Sequence, residues 1–591
     1  MENLIKILTN DLNIFFNEKY SLKNISYDFQ ITKKEFEGDI TLVVFPLIKY
    51  VKKNPLKFSN EIGEYLKKKS KVVAKFNIIK GFLNINLTDK FFVNSLIEIY
   101  KTQNYGFSKP KNKKIIVEFS SPNTNKPLHL GHVRNNLLGF SISKILEANG
   151  YDVVKTQIIN DRGIHICKSM IAWKLYGNGS TPKSTGIKGD KFVGKYYVLY
   201  EEKFKSQVNE LIKSGVTENE ARNTAEIFVK AKEMLINWEL GDKETFNLWE
   251  KMNSWVYDGF NITYKNLEIN FDSYYYESKT YLLGKEIIDL GLEKKIFYKK
   301  NDNSIWIDLK DDGLDEKLLL RSDGTSVYIT QDLGTAVQRK KDYDPIHGMV
   351  YTVGNEQDYH FNVLFTILRK LGYKWASNLH HLSYGMVDLP SGKMKSREGI
   401  VVDADDIIEE MRLTAREISN NLGKINTFSE EEKNRLFNDI GLGALKYHIL
   451  KVDPRKKIMF DPKKSIDFQG NTGSFIQYAY ARIQSIIRKS EINYNNISDN
   501  TKIGHKEKDL IKHLMLFPSI IKQSGEQYNP SMIVNYLFEL VKSFNSFYQN
   551  VNILGEKDLE QKKIRLILTE IVGLNIKSSC YLLGINVPKR M

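Results

Sequence analysis

The sequence predicts an α/β chain of several domains: a parallel sheet covered by helices, a small α+β domain before it and an all-helical domain after it. Three observations point there. A chain of 591 residues is too long for one hydrophobic core. From about residue 113, runs with strand character ("IIVEF", "YDVVKTQIIN", "IWIDL", "IHGMVYTV") alternate with helical periods, and strand, helix, strand in that order builds a parallel sheet. Beyond about residue 406 the strand patterns stop and amphipathic helical periods continue to the end, as in "FIQYAYARIQSIIRK" and "SMIVNYLFELVKSFNSFYQNV".

Taken in order, residues 1–107 mix short alternating runs ("DITLVVF", "KVVAKFNIIKGFLNINL") with helical periods ("LIKILTNDLNIFF"), which reads as an α+β domain. The stretch "GFSKPKNKK", Gly106 to Lys114, is a linker punctuated by proline and lysine. The sheet domain is expected over 113–405, interrupted at about 173–270 by long polar helices that read as an insertion. Residues 406–465 form a helical stem and 466–591 the terminal helical domain.

Lysine and arginine number 87 against 71 aspartate and glutamate, a formal charge of +16, with 12% aromatic residues. That balance favours a polyanionic partner, although an AT-biased genome gives the same lysine excess, so charge alone decides nothing about function. The longest apolar segments, such as "TLVVFPLI", fall far short of the roughly 18 residues of a membrane span, and "MENLIKILTNDL" lacks the order of a signal peptide. Two cysteines far apart, Cys167 and Cys580, give no disulfide framework and no zinc pattern. A cytoplasmic protein without a membrane partner is expected.

Two stretches carry chemistry. "SSPNTNKPLHLGH", Ser120 to His132, follows the strand run "KKIIVEF" and precedes a helical period, so His129 and His132 sit where a strand turns into a helix. Unpaired N–H groups at a helix start favour phosphate; Gly131 leaves room for a flat base against the backbone, and Lys126 adds a cation. A His-x-Gly-His by itself is more often ordinary structure, and Lys126 is what tilts the reading to a nucleotide site. The second stretch, "LPSGKMKSREGIVVDADDI", crowds Lys393, Lys395 and Arg397 into a glycine-bounded loop that could close on a leaving pyrophosphate.

Together these stretches resemble the two signatures of class I aminoacyl-tRNA synthetases, the HIGH box as "HLGH" and the KMSKS loop as "KMKSR", in the right order and more than 250 residues apart. Within that class the chain is similar to the arginyl-tRNA synthetases over nearly its whole length, through "VEFSSPNTNKPLHLGH", "LLLRSDGTSVYITQDLGTA", "VGNEQDYHF", "GNTGSFIQYAYARI" and "LLGINVPKRM". The resemblance implies a Rossmann-like catalytic domain, a helical anticodon-binding domain and an N-terminal domain that meets the tRNA corner. It implies activation of L-arginine by ATP to arginyl-adenylate, then transfer to the terminal adenosine of tRNA(Arg) by a monomer, with Mg²⁺ riding on ATP and no protein-bound metal. It also implies that arginine activation requires bound tRNA.

By the same resemblance, His129, His132, Lys126 and Lys393 are the catalytic groups, positive or hydrogen-bonding donors around the α-phosphate, and Gly131, Lys395, Ser396 and Arg397 complete the ATP site. Ser396 stands where the KMSKS signature has its second lysine, and Lys126, Lys395 or Arg397 is expected to compensate. A guanidinium needs carboxylates and an aromatic hydroxyl in fixed geometry. Tyr328 and Asp332, one helical turn apart, are expected to supply them with Glu277 as a second carboxylate, while Glu118, Asn123 and Gln357 surround the α-groups. Phe475, Tyr478, Tyr548 and Met591 match places where the family offers flat or apolar surfaces to anticodon bases. A synthetase for cysteine or glutamate lacks the Tyr328 and Asp332 pair, a small nucleotidyltransferase needs no helical third, and a noncatalytic RNA-binding relative has no reason to keep His129, His132 and Lys393.

Overall fold

The computed structural model describes every residue except 34, 389–401, 422–424, 491–497, 499 and 500. At its centre is a five-stranded, wholly parallel sheet in the spatial order Leu379–Tyr384, Ile346–Gly354, Lys114–Glu118, Asp152–Ile159, Ser273–Tyr276. The chain enters in the middle at Lys114–Glu118, builds two strands outward, then crosses to the other side. The direction of winding therefore reverses between Lys114–Glu118 and Ile346–Gly354, and the carboxyl ends of the strands at such a reversal form a ligand crevice. Ile116 and Val117 are fully buried because helices cover both sheet faces, which is why the run reads as continuously apolar.

The helix Leu130–Ala148 packs on the sheet and also touches the C-terminal helices: Ser141 Oγ donates to Leu582 O at 2.9 Å and Asn149 Nδ2 to Ile521 O at 2.9 Å. Buried on almost every side, it carries Arg134, Asn135, Asn136, Ser141 and Ser143 inside the protein. Between Asp152–Ile159 and Ser273–Tyr276 the long helices Ile164–Tyr176, Gly189–Lys213, Glu226–Glu239 and Lys243–Leu267 form the helical insertion.

The run "IWIDL" was expected to alternate with helices as part of the parallel sheet. It lies instead in a separate antiparallel sheet, Ile305–Ile307 between Tyr298–Lys299 and Lys317–Leu320. Short turns on either side leave no crossover helix, so only antiparallel pairing is open to it. A second departure lies past residue 406, where Ile458–Met459 forms a short parallel ladder with Val387–Asp388.

The N-terminal part is a four-stranded antiparallel sheet, Phe29–Ile31, Ile40–Val43, Phe82–Leu87, Val73–Ile79 in spatial order, with helices Glu2–Tyr20 and Pro55–Lys69. Asn54 caps the latter by accepting from Leu56 N and Lys57 N, with proline at the first helical position where its missing N–H costs nothing. It meets the helical third through ion pairs Lys508–Asp89 at 2.6 Å and Lys512–Asp39 at 3.0 Å. That third continues from the stem helices Ala404–Asn421 and Glu430–Leu450 into Gly473–Lys489, His505–Leu514, Phe517–Glu526, Ser531–Asn550 and Leu559–Leu582. No described helix is long and apolar enough to cross a membrane.

Candidate active site

The loop after the first sheet strand turns sharply. Ser120 and Ser121 take left-handed backbone conformations, φ 74° and 45°. The strain is offset by fixed partners: Ser120 N donates to Asn135 Oδ1 at 2.5 Å, and Ser120 Oγ lies 2.7 Å from Tyr264 OH of the insertion. His129 then caps the helix Leu130–Ala148. Its Nδ1 accepts from Gly131 N at 3.1 Å, while His132 Nδ1 accepts from His129 N at 3.2 Å.

This reciprocal capping fixes both tautomers. Each neutral ring accepts at Nδ1, so each carries its proton on Nε2 as a donor. Burial, then the field of Lys126, pushes His129 down to about 4. Burial, then His129 and Lys126, holds His132 well below the ordinary imidazole range. Both rings, 3.9 Å apart between centroids, are therefore neutral at pH 7. The imidazoles can act as donors to phosphate, and positive charge beside them comes from Lys126. A Cβ on Gly131 would stand 2.9 Å from His129 Cε1, so glycine is also what lets the His129 ring fold back onto the helix start.

The segment after the KMSKS-like loop is zipped to the same turn: Leu130 N donates to Val402 O at 3.1 Å and Ala404 N to Leu128 O at 2.9 Å. Asp403 pairs with Lys191 at 3.2 Å and Asp405 with Lys188 at 2.5 Å, both lysines from the insertion. The stem before the loop is held by the buried Arg134, whose fork donates to Gly385 O at 2.5 Å, Pro454 O at 2.9 Å and Lys456 O at 2.7 Å. Lys393, Lys395, Ser396 and Arg397 lie outside the described residues.

At the carboxyl ends of the strands, with Asn123 of the histidine loop in its wall, opens a cavity of about 540 Å³. Asn123, Glu277, Tyr328 and Asp332 line it together, from three separate places in the sequence. Tyr328 and Asp332 come from the first turns of helix Tyr328–Tyr343, and Glu277 directly follows strand Ser273–Tyr276. Asp332 accepts from His360 Nε2 at 2.6 Å and remains 42% exposed. Burial pushes the Glu277 carboxyl up to about 7, Arg162 opposing the shift and Asp161 and Asp332 adding to it.

Glu118 and Gln357 are not brought to this wall. The Glu118 carboxylate is buried against Arg339, itself among the most buried side chains, and accepts from Ser121 Oγ at 3.2 Å. Gln357 lies in the exposed short turn Asn355–Gln357, after strand Ile346–Gly354. The sequence reading missed Arg162, Asn160 and Gln331, which line the cavity, and Asp161 just behind it. Asp161 and Arg162 directly follow the strand run "YDVVKTQIIN", and that position after a sheet strand was the available signal.

In the helical third, Tyr478 and Tyr548 come from two helices and enclose one cation, with Arg482 Cζ 5.1 Å and 5.0 Å from the ring centroids. Tyr548 is 41% exposed, and Arg482 donates to Asn545 Oδ1 at 2.7 Å. Phe475 is half-buried against Phe538, 5.9 Å between centroids, and Met591 packs partly buried on the core. The tyrosines thus share one surface feature, whereas Phe475 and Met591 are engaged by neighbouring apolar groups.

A pH dependence follows from Glu277. A carboxyl raised to about 7 is largely protonated at pH 6 and largely ionised at pH 8. If it faces a cationic substrate, the KM for that cation should rise severalfold as pH falls from 8 to 6, and Glu277→Gln should flatten the profile. A KM unchanged over that range in the unsubstituted chain would separate Glu277 from the substrate.

Comparisons with known proteins agree with this layout. Residues 95–461 match the family model described as tRNA synthetases class I (R), catalytic domain; residues 476–591 match the DALR anticodon binding domain, and residues 2–87 the arginyl tRNA synthetase N terminal domain. The chain is 54% identical over 601 aligned positions to the arginine–tRNA ligase of Flavobacterium psychrophilum, covering 100% of both chains. It is 52% identical to that of Bacteroides thetaiotaomicron, covering 100% of this chain and 99% of the other. Among solved structures, the Thermus thermophilus arginyl-tRNA synthetase superposes with a TM-score of 0.79 at 22% identity, covering 100% of both chains. With a catalytic-domain model matched over residues 95–461 and 54% identity along the whole chain, the chain belongs to the arginyl-tRNA synthetase family of class I aminoacyl-tRNA synthetases.

Proposed function

We propose that the cavity and the histidine loop form one active site in which the chain performs its family's reaction, the ATP-driven joining of L-arginine to tRNA(Arg). An arginine carboxylate oxygen attacks the α-phosphorus of ATP, giving arginyl-adenylate and pyrophosphate. A ribose hydroxyl of the tRNA's terminal adenosine then attacks the carbonyl carbon, and AMP leaves. The observation that carries the assignment of the cavity is the convergence of Asn123, Glu277, Tyr328 and Asp332 around one space at the carboxyl ends of the sheet.

In this reading Asp332, Glu277 and the Tyr328 hydroxyl hold the guanidinium, and Asn123 the α-groups. Gln357 is assigned to the same groups from the turn Asn355–Gln357, and Glu118 acts one step back, paired with Arg339. The Nε2–H groups of His129 and His132 donate to phosphate oxygens as negative charge builds in the transition state, with Gly131 leaving space for adenine. Lys126, Lys393, Lys395 and Arg397 supply positive charge, and Ser396 a hydroxyl. The donors around the phosphate position are imidazole N–H groups and lysine, which suit phosphate oxygens and repel a cation. Mg²⁺ is therefore assigned to the nucleotide and not to protein ligands; bound there, it would neutralise phosphate charge.

Tyr478, Tyr548, Phe475 and Met591 are assigned to the anticodon loop, on a domain taken as 466–591, with 406–465 as stem, 113–405 as catalytic domain and 1–107 at the tRNA corner. We place the protein in the cytoplasm as a monomer, as the family resemblance implies; its two cysteines are free and buried. The test is ATP–pyrophosphate exchange over all twenty amino acids, with and without tRNA. Exchange with arginine alone, dependent on tRNA, is expected; exchange with another amino acid at equal rate would overturn the reading.

A further inference from the structure

The cavity assigned to a substrate guanidinium already contains one. Arg162 lines its wall, on the turn between strand Asp152–Ile159 and helix Ile164–Tyr176, with only 17% of its side chain exposed. Glu277 and Asp332 line the same cavity, so a flexible arginine stands within the field of the two carboxylates that the substrate's guanidinium must reach. What keeps it from them is a set of contacts from elsewhere. Arg162 Nη2 donates to Glu239 Oε1 at 2.5 Å, its Cζ lies 4.0 Å above the Tyr281 ring, and Trp238 flanks it at 5.6 Å. Glu239 is the last residue of the insertion helix Glu226–Glu239, and its carboxylate is 46% exposed.

Resting on the reading of the cavity as the arginine site, we propose that Glu239 is a positioning residue for substrate specificity: it tethers Arg162 to the insertion, keeping this resident guanidinium off Glu277 and Asp332 so that the substrate's can take their carboxylates. The physical stake is local concentration. A competitor attached to the wall of its own site is present at an effective concentration of the order of millimolar, regardless of dilution. Arg162 Nε has no acceptor among the described residues, so the fork is not saturated where it sits. A guanidinium prefers a bidentate carboxylate when one is in reach.

The tether has a second effect. While held at the wall, the cation still acts on Glu277 through space, favouring its ionised form against burial and against Asp161 and Asp332. Arg162 thus helps keep the site anionic without occupying it. Asp161, next in sequence, fixes the other side: it accepts from Ser278 N at 2.9 Å and Ser278 Oγ at 2.8 Å, holding the turn that carries Glu277, and from insertion residue Tyr257 OH at 2.9 Å. The insertion therefore reaches both residues of the Asp161–Arg162 pair.

The test is aminoacylation kinetics of the full chain with tRNA(Arg), comparing Glu239→Gln, Arg162→Gln and the double variant. Glu239→Gln should raise the arginine KM about tenfold, the lower end of what a charged hydrogen bond is worth, and leave the ATP KM unmoved. Adding Arg162→Gln should cancel that rise, bringing the double variant to the KM of Arg162→Gln alone. A merely structural loss would persist in the double variant. An arginine KM unmoved by Glu239→Gln, or a double variant whose KM stays above that of Arg162→Gln alone, overturns the proposal. Glu277→Gln separates the two levels: if it leaves the arginine KM unchanged, the cavity reading itself fails; if it raises the KM while Glu239→Gln does not, only the tether fails.

Discussion

Replacing His129 or His132 by alanine is expected to lower the rate of arginyl-adenylate formation by about 10²-fold or more, the size of the loss when one preorganised transition-state donor is removed. The arginine KM should change little, because neither ring lines the cavity that holds Asp332 and Glu277. His129→Ala also removes a helix cap, a cost of about 0.5–2 kcal/mol in stability. A fall in Tm without a fall in single-turnover rate would therefore leave only the structural role. The neutral state of the pair adds a sharper expectation. With His129 held at about 4 by burial, kcat should show no loss from imidazole titration between pH 8 and pH 5.5. A kcat that instead rises on acidification, through a group titrating near 6.5, would mean that imidazolium is the active form.

Asp332→Asn is expected to raise the arginine KM by about 10- to 100-fold, the equivalent of about 1.5–3 kcal/mol for a charge-assisted hydrogen bond, with the ATP KM unchanged. The carboxylate is 42% exposed in the open cavity, so solvent screening favours the lower part of that range unless substrate closes the site. Asparagine keeps the shape and can still accept from His360, whose Nε2 lies 2.6 Å from the aspartate, so local packing should survive. What is lost is the charge facing the guanidinium. Lysine should gain nothing from the change, since a point ammonium cannot use the planar geometry offered by Tyr328, Asp332 and Glu277. A raised KM for ATP with that for arginine unmoved would place Asp332 on the nucleotide.

The order of the elements was largely legible in the sequence, because burial on one or both faces leaves its period in the residues. "KKIIVEF" reads as a strand and Val133, Leu137, Leu138, Ile142 as a helix, so the turn at His129 could be located from periodicity. The short run "IWIDL" was expected in the parallel sheet and lies outside it, since three strand residues carry no sign of which sheet they join. At the site, Tyr328 and Asp332 were readable as a pair because a helix puts i and i+4 on one face. Glu118 was expected around the α-groups, and its carboxylate lies against Arg339, more than 200 residues away in sequence. Pairings between distant buried charges leave no local pattern. Arg162 escaped for the same reason: its tether, Glu239, sits at the end of a helix whose period reports only which face is buried. The tautomers of His129 and His132 were equally hidden, because they depend on backbone N–H groups that every residue possesses.

The most direct test is a crystal structure of the chain with a non-hydrolysable arginyl-adenylate analogue. The guanidinium should lie within hydrogen-bond distance of the Asp332 and Glu277 carboxylates and the Tyr328 hydroxyl, with the phosphate-mimicking oxygens facing Nε2 of His129 and His132. Arg162 should remain on Glu239. A guanidinium bound outside the cavity, or phosphate oxygens turned away from both imidazoles, would contradict the account.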